Sequence, residues 1–423
     1  MIIFFVIFMA TLTVFNFMVT RSIYYPATFF TALWTVYLSA LFLSGDFFYS
    51  ISDMTCAIYS LGVFMFSSGS LLVFFMYQKK FATELPVSKR DTTFANRCLD
   101  IGLVVLLLAF PFYWRHLQQL GTIMDIEDFW ISLRAQTSSG DKSAEGFGIF
   151  AYLAALSTFL SWAAYYENNG TLYKRFRAYS IISVSLAYHV ITVSRLGAMI
   201  TVFGLIGITV VRNGRIRLKS LLLGITIFVL IFSAPALILN KGGSLDSSIS
   251  ENIVSISESF QLYALGGLVA FDDVVNHPDN IESNWYSLRF FTTIANSLGA
   301  NYDLPPSTLE YTLTPLPTNV YTIYFPYYQD YGLIGIVVIM LIIGALTTFV
   351  FIWALNGDPQ AGVLYGLIFA SLILTSVSEP FLTTISYWIQ AIAFTYFIYK
   401  LPYLWHSRES TQMLTRKDAL PLL

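Results

Sequence analysis

Residues 331–353 of the chain, YGLIGIVVIMLIIGALTTFVFIW, form an apolar run without a charged side chain. About 20 such residues are enough for a helix to cross the hydrocarbon core of a bilayer. The strands of a membrane barrel alternate apolar and polar residues, whereas this run is continuous. The run therefore indicates a membrane-spanning helix, and with others like it predicts an all-α polytopic membrane protein.

The composition of the whole chain agrees with this run. Hydrophobic residues make up 56% of the 423 residues and charged residues only 11%, whereas an ordinary soluble domain is about 25% charged. So few charges exclude a cytosolic enzyme, a disordered chain and a nucleic-acid-binding protein, which needs a basic surface. Cys56 and Cys98 are expected near opposite faces of the bilayer, too far apart for a disulfide. The sequence predicts no metal site and no cofactor.

Continuous apolar runs predict about 11 membrane-spanning helices, within a range of about 10–12. The predicted spans are residues 2–19, 24–44, 56–77, 98–115, 147–166, 178–194, 197–211, 219–240, 331–353, 361–378 and 383–401. They divide the chain into an N-terminal bundle (1–240) with a loop at 116–146, a large loop (241–330), C-terminal helices (331–401) and a tail (402–423). Within the large loop we expect short helices at 247–270 and 285–298.

Most of the 23 lysines and arginines fall in the predicted connections on one side, for example between Lys79 and Arg97 and between Arg212 and Lys219. The positive-inside rule makes that side cytoplasmic, together with the C-terminal tail. The loops at 116–146 and 241–330 then lie outside. Long loops in compact proteins usually carry function, so we expect the functional residues on the outer face.

Three outer arginines are candidate phosphate-binding residues. Arg195 stands in the motif 194–197 between two short spans, Arg289 in the aromatic helix predicted at 285–298, and Arg134 in the shorter loop. The forked guanidinium matches phosphate oxygens, and Gly197 would allow close approach of the backbone. The alternatives are an interfacial arginine for Arg195, stacking on a ring for Arg289 and a solvated loop charge for Arg134.

The end of the large loop, PLPTNVYTIYFPYYQDYGLIG (residues 315–335), combines turn residues, tyrosines and polar side chains. An aromatic belt at the membrane interface explains the tyrosines, but it explains Asn319 and Asp330 less well. Asp330 is a candidate site residue, with capping of a helix N-terminus as its alternative. Glu379 closes a predicted span at the outer face and is either a site residue or a solvated carboxylate.

Several of these motifs carry a resemblance to a known family. The run Thr318-Asn319-Val320-Tyr321-Thr322, followed by 330–335 (DYGLIG), resembles the end of the large periplasmic loop in bacterial O-antigen polymerases. The motif at 263–267 (YALGG) and the motif at 194–197 are also similar to the patterns of that family. These motifs cover about a tenth of the chain, and the arrangement of spans and loops extends the resemblance.

The resemblance implies a glycosyltransferase of GT-C-like architecture in the bacterial inner membrane, with its active face toward the periplasm. It would transfer a growing glycan from undecaprenyl pyrophosphate to a lipid-linked repeat unit. A chain-length regulator and a flippase are the implied candidate partners. No nucleic acid and no cofactor are implied.

The implied chemistry gives each candidate residue a role. Negative charge develops on the leaving pyrophosphate, and fixed guanidinium groups stabilise it. We expect Arg195 and Arg289 there first and Arg134 third, and Asp330 or Glu379 as acceptor of the hydroxyl proton. The residues expected to bind substrate sugars are Asn319, Tyr321, Thr322, Tyr328 and Tyr263.

Two other functions compete with a polymerase. An O-antigen ligase would transfer the glycan to lipid A core, an acceptor that the sequence does not distinguish from a repeat unit. A lipid-linked oligosaccharide flippase or other transporter should carry ionisable residues at mid-membrane. The predicted spans are nearly uncharged, which favours a site at the membrane surface.

Overall fold

The computed structural model of the chain is nearly all-helical. It describes residues 2–77, 92–122, 128–138, 148–192, 195–216, 249–277, 285–306 and 309–401, together with scattered positions between 218 and 233. The tail predicted at 402–423 lies outside the described residues, as do residues 241–248 of the large loop.

The described residues form thirteen α-helices. They are α1 (Ile2–Thr20), α2 (Pro26–Leu43), α3 (Asp53–Tyr77), α4 (Thr93–Gly121), α5 (Phe129–Ser138), α6 (Ile149–Tyr166), α7 (Leu172–Val190), α8 (Arg195–Asn213), α9 (Ile249–Asn276), α10 (Arg289–Ser297), α11 (Tyr324–Leu355), α12 (Pro359–Ile373) and α13 (Ile385–Tyr399). The short elements are the 3₁₀ helices Gly45–Phe47, Tyr286–Leu288 and Leu374–Ser376, and the two-residue strands β1 (Thr312–Leu313) and β2 (Pro317–Thr318). The described positions between 218 and 233 are also helical.

Polar contacts define one end, which we call the basic end. Arg177 near the start of α7 donates to Asp100 near the start of α4 at 2.9 Å. Lys400 after α13 pairs with Asp358 before α12. Arg212 near the end of α8 donates to carbonyl oxygens at the end of α6, at 2.6 Å and 2.7 Å. The basic residues that the sequence assigns to the cytoplasm thus hold helices together at a common end.

The opposite end is where α3 and α11 begin and α12 ends. The backbone N–H of Ile323 donates to the carbonyl oxygen of Thr375 at 2.8 Å, which joins the start of α11 to the end of α12. At the start of α3, the Asp272 carboxylate accepts from the Ser52 N–H at 2.8 Å and from the Thr55 hydroxyl at 2.6 Å. An aspartate of α9 therefore fixes the residues that begin α3.

Helix α9 packs against this opposite end. Besides the Asp272 contacts, its Leu268 carbonyl oxygen accepts from the Tyr59 hydroxyl of α3 at 2.7 Å. Its Gly267 lies against the carbonyl oxygen of Ser376, just after α12. These contacts place the C-terminal half of α9 beside the ends of α3 and α12 and not along their full length.

Eight described helices are long and apolar enough to cross a membrane. Seven coincide with predicted spans, and the eighth, within α9, falls in the predicted large loop. Helices α6, α7 and α13 and the described positions between 218 and 233 also occupy predicted spans. The structure confirms a nearly all-α fold with multiple membrane-spanning candidates, and the count of about 11 spans stays a prediction.

Helices α3 and α11 approach closely because glycine lies at their contact. A Cβ atom on Gly69 would stand 1.9 Å from the carbonyl oxygen of Leu341, and one on Gly344 would stand 2.0 Å from that of Phe66. Small residues allow membrane helices to pack backbone against backbone. This packing fixes where α11 begins at the opposite end.

A kink divides α11 at Gly332, whose φ is 61° and ψ is −148°. Only glycine adopts this region without strain. Gly335 completes the kink, since a Cβ atom there would stand 2.4 Å from the carbonyl oxygen of Tyr327. The long helix after the kink matches the predicted span 331–353, and the short helical segment before it, 324–331, belongs to the opposite end.

Candidate active site

A cavity of about 630 Å³ opens at the opposite end, between the starts of α8 and α10, the chain before α11 and the segment that joins α12 to α13. Leu196, Ile200 and Leu367 form an apolar part of its wall. The polar wall residues are Tyr286, Arg289, Asn319, Tyr321, Thr322, Ser371, Ser378, Glu379, Thr383, Thr384, Ser386 and Tyr387. A wall of this kind suits a ligand with both polar and apolar parts.

Five predicted site residues line this cavity, namely Arg289, Asn319, Tyr321, Thr322 and Glu379. They come from three separate segments of the chain, which the fold brings together. Asn319 makes no side-chain hydrogen bond to any described residue. An amide carries two donor hydrogens and an acceptor oxygen, so this side chain offers binding capacity to a polar ligand.

The segment 318–323 forms the cavity wall because both of its ends are held by backbone contacts. Thr318 pairs with Thr312 in the β1–β2 hairpin, and the Ile323 N–H donates to the chain after α12. Between those ends, α9 approaches the segment at Gly267, where a Cβ atom would stand 3.4 Å from the carbonyl carbon of Tyr321. Gly267 of the motif at 263–267 thus serves packing behind the wall.

Tyr321 presents a rigid, neutral ring to the cavity. It is 6% exposed, its hydroxyl donates to the Glu310 carbonyl oxygen at 3.2 Å, and its ring packs on that of Phe325 with centroids 4.6 Å apart. Burial, assisted by the negative charges of Asp273 and Glu310, raises the pKa of Tyr321 to about 12. The phenol therefore stays protonated at physiological pH and contributes shape and apolar surface.

Glu379 is a fixed carboxylate and not a solvated one. It is 5% exposed. Its Oε1 accepts from the N–H groups of Phe381 at 2.8 Å and Leu382 at 2.9 Å and from the Tyr327 hydroxyl. Its Oε2 accepts from the Thr383 N–H at 2.6 Å. These donors stabilise a negative charge at the wall, and Oε2 accepts only this one hydrogen bond from described residues.

Arg289 enters the cavity from the first position of α10. The 3₁₀ turn before it is held by Asp330, whose carboxylate accepts from the N–H groups of Tyr286 at 3.0 Å and Ser287 at 2.7 Å. Asp330 itself does not line the cavity. The role expected for it as proton acceptor therefore stays a prediction, and the hydrogen bonds that it accepts come from the 3₁₀ turn and not from the first turn of α11.

Arg195 lies beside the cavity and does not line it. It begins α8, its guanidinium carbon lies 4.6 Å from the centroid of the Phe232 ring, and its neighbour Leu196 belongs to the wall. A Cβ atom on Gly197 would stand 2.3 Å from Nδ1 of His189. Gly197 thus makes room for a histidine of α7, and close approach of its backbone to a phosphate stays a prediction.

The remaining predicted residues lie away from the wall. The Tyr263 ring packs against Phe232 with centroids 5.7 Å apart, and the Tyr328 ring packs against Phe271 at 5.7 Å. Both tyrosines therefore contribute to packing around α9. The backbone of Arg134 belongs to α5, and its side chain lies outside the described parts of the structure.

Sequence reasoning missed the polar residues on both sides of Glu379. Ser378, Thr383, Thr384 and Ser386 line the cavity because the chain turns back there between α12 and α13. Their signal in the sequence is a cluster of hydroxyl side chains beside an acidic residue at the boundary of two predicted spans. Such a cluster is also ordinary turn composition, so it did not stand out.

The chain is 27% identical over 207 residues to a protein of Shigella dysenteriae described as an O-antigen polymerase. The matched residues are 48% of this chain and 50% of that relative, so the chain spans about half the length of the relative it matches. No protein-family model matches the chain, and no solved structure matches it. Over about half of its length, the chain is therefore distantly similar to an O-antigen polymerase.

Proposed function

We propose that the chain is an O-antigen polymerase of glycosyltransferase type, which transfers a growing glycan from undecaprenyl pyrophosphate to a lipid-linked repeat unit. The distant relative supports the polymerase class. The observation that carries the proposal is the cavity, in which the Arg289 guanidinium and the hydrogen-bonded Glu379 carboxylate share a wall with hydroxyl and amide side chains. This combination suits a substrate with both phosphate and sugar groups.

The proposal locates the reaction at the periplasmic face of the bacterial inner membrane. The cavity lies away from the basic end, and the positive-inside rule assigns basic ends to the cytoplasm. Two substrates anchored in the same membrane gain proximity and orientation. GT-C-like architecture and partnership with a chain-length regulator and a flippase belong to the same proposal.

The chemistry follows from the cavity residues. A sugar hydroxyl of the acceptor attacks the anomeric carbon of the donor, a new glycosidic bond forms, and the bond from that carbon to the phosphate oxygen breaks. The lipid pyrophosphate leaves with the electron pair. Arg289 stabilises its developing charge, and Glu379, through Oε2, accepts the hydroxyl proton.

The other cavity residues bind the sugars. The amide of Asn319 offers hydrogen bonds and the ring of Tyr321 offers an apolar face, with Thr322 proposed to bind beside them. Fixed side chains are suited to orienting a substrate, because little side-chain freedom is lost on binding.

Arg195 and Arg134 are proposed as further cations for the diphosphate. Arg195 stands one residue from Leu196 of the wall, with its guanidinium over Phe232. A guanidinium stacked on a ring keeps its positive charge, which attracts an oxyanion. Arg134 is the third arginine proposed to bind the diphosphate, after Arg289 and Arg195.

The test is an elongation assay with the purified full chain in lipid nanodiscs and lipid-linked repeat units. We expect glycan elongation by the wild type and a loss of about 10²–10³-fold in kcat for Arg289→Ala, the usual cost of removing one donor to a developing oxyanion. Arg289→Lys should retain part of the rate. Glu379→Gln should also be slow, since it keeps an acceptor oxygen but has no carboxylate to take the proton.

Arg212→Ala is the matched control, because it removes an arginine at the basic end. It should elongate glycan at the wild-type rate. Wild-type rates for Arg289→Ala would reject the arginine assignment, and absence of elongation by the wild type would reject the polymerase. Transfer to lipid A core in preference to a repeat unit would identify a ligase instead.

A further inference from the structure

The turn that precedes Arg289 has an unusual backbone. Trp285 has a φ of 56° and a ψ of 46°, the left-handed conformation, which non-glycine residues seldom adopt. Such a conformation persists only when surrounding contacts hold it. Trp285 is about half exposed, so the side chain of Trp285 is not what holds the turn.

Asp330 supplies the holding contacts. Its Oδ1 accepts from the Tyr286 N–H at 3.0 Å, and its Oδ2 accepts from the N–H of Ser287 at 2.7 Å and from the Ser287 hydroxyl at 2.5 Å. Ser287 is fully buried, and its hydroxyl also lies 3.3 Å from that of Tyr331. Hydrogen bonds to a carboxylate are strong because the acceptor is charged. A single side chain thus satisfies both N–H groups that follow Trp285.

Asp330 can do this because the short segment 324–331 is itself fixed. The kink at Gly332 sets its direction relative to the long helix. Its Phe325 ring packs against that of Tyr286 with centroids 5.1 Å apart. Two contacts therefore anchor the turn before Arg289 to α11. One is the Asp330 carboxylate on the backbone N–H groups, and the other is the Phe325 ring on the Tyr286 ring.

We infer that Asp330 is a positioning residue that fixes Arg289 at the cavity wall by holding the turn 285–288. Arg289 follows Ser287 by two residues and begins α10, so the direction of the turn sets where its side chain starts. Asp330 does not line the cavity and touches no substrate. The consequence for catalysis rests on the proposed function, whereas the hold on the turn does not.

The experiment compares Asp330→Asn in the wild-type chain and in the Arg289→Lys chain. We expect the substitution to lower kcat by about 10-fold to 100-fold in the wild-type background, as lost hydrogen bonds to a charged group would. In the Arg289→Lys background the additional loss should be under about threefold, because residues that act through one another are not additive. Ser287→Ala removes one of the three bonds and should lower kcat less, in the same direction.

Asp303→Asn is the matched control, since Asp303 is an exposed carboxylate near the same region. It should leave kcat unchanged in both backgrounds. An equal loss for Asp330→Asn in both backgrounds would overturn the inference. A pH profile would also overturn the inference if the wild-type rate fell as a carboxylate became protonated and Asp330→Asn abolished that dependence. Such a result would make Asp330 the proton acceptor.

Hydrogen exchange separates this inference from the proposed function. Amide exchange at Tyr286 and Ser287 should be at least about tenfold faster in Asp330→Asn than in the wild type, since local opening then lacks its opposing hydrogen bonds. Unchanged exchange would overturn the hold on the turn whatever the enzyme does. Faster exchange with a wild type that elongates no glycan would retain the hold and reject only the proposed function.

Discussion

Replacement of Gly332 by alanine tests whether the kink in α11 is stabilised by its surroundings. Gly332 adopts a φ of 61° and a ψ of −148°, a region nearly restricted to glycine. A Cβ atom there would meet no neighbour within 4 Å. The cost of alanine is therefore backbone strain alone, about 1–3 kcal/mol.

The contacts around the kink decide how this strain appears. Asp330 accepts three hydrogen bonds from Tyr286 and Ser287, and hydrogen bonds to charged groups contribute about 1.5–3 kcal/mol each. Together they exceed the strain, so the kink should persist in Gly332→Ala. We expect this variant to lose about 1–3 kcal/mol of unfolding free energy and to keep its elongation rate within about threefold.

The double variant Gly332→Ala/Asp330→Asn combines the backbone strain with the loss of the charged hydrogen-bond acceptor that opposes it. We expect the strain energy to exceed the energy of the remaining contacts. The kink should then open, and Arg289 should move from the cavity wall. The loss in rate should be larger than the product of the two single losses, which is the sign of coupled residues. Gly357→Ala is the control, since Gly357 has a φ of 82° and open space around it near the basic end. Its effect on rate should multiply simply with that of Asp330→Asn.

The assays are thermal unfolding in detergent and initial elongation rates in nanodiscs. A wild-type melting temperature for Gly332→Ala would contradict the backbone conformation of the kink. A simple product of rates for the Gly332 and Asp330 variants would refute the proposed dependence of Arg289 on the kink.

Two further variants test the packing at each end. Tyr321→Phe removes the hydrogen bond from the Tyr321 hydroxyl to the Glu310 carbonyl oxygen. The free energy of unfolding should therefore fall by about 1 kcal/mol at neutral pH. Burial raises the pKa of Tyr321 from 10 to about 12 in the folded chain. The wild type should therefore lose stability between pH 10 and 12, because the phenol ionises first in the unfolded chain. The difference in stability between the wild type and Tyr321→Phe should narrow over that range, as measured by thermal unfolding at several pH values. Arg177→Ala should lower the melting temperature more, because it removes the buried guanidinium that donates to Asp100 and Asn96 at the α4–α7 contact, while the elongation rate of the folded fraction stays unchanged.

The glycines of the 330–335 motif show how far sequence alone could lead. The motif supported a family resemblance but gave no reason for its glycines. In the structure, Gly332 provides a positive φ and Gly335 a close contact with the Tyr327 carbonyl oxygen. Neither requirement is visible in sequence, because both depend on how the segment 324–331 folds back at the end of the bundle.

The same difference explains which candidate residues the sequence could pair. Arg289 was a candidate as one of the few outer arginines, and Glu379 as the carboxylate that closes an apolar span. Asp330 was a candidate because an aromatic belt does not explain it, yet its partner Ser287 lies 43 residues earlier in the chain. A pairing across that separation carries no local signal, so its contact with the turn before α10 emerged only from the folded chain.

The amino-acid sequence alone determined a helical membrane protein and the grouping of its basic residues at one end. A run of about 20 apolar residues crosses a membrane, and charged residues stay outside it, whichever other segments of the chain the run packs against. Tertiary structure decided that α9 packs at the end of the bundle and that five candidate residues share one cavity. Those outcomes depend on contacts such as that of Gly267 with Ser376, since a cavity exists only where distant segments fail to fill the space between them.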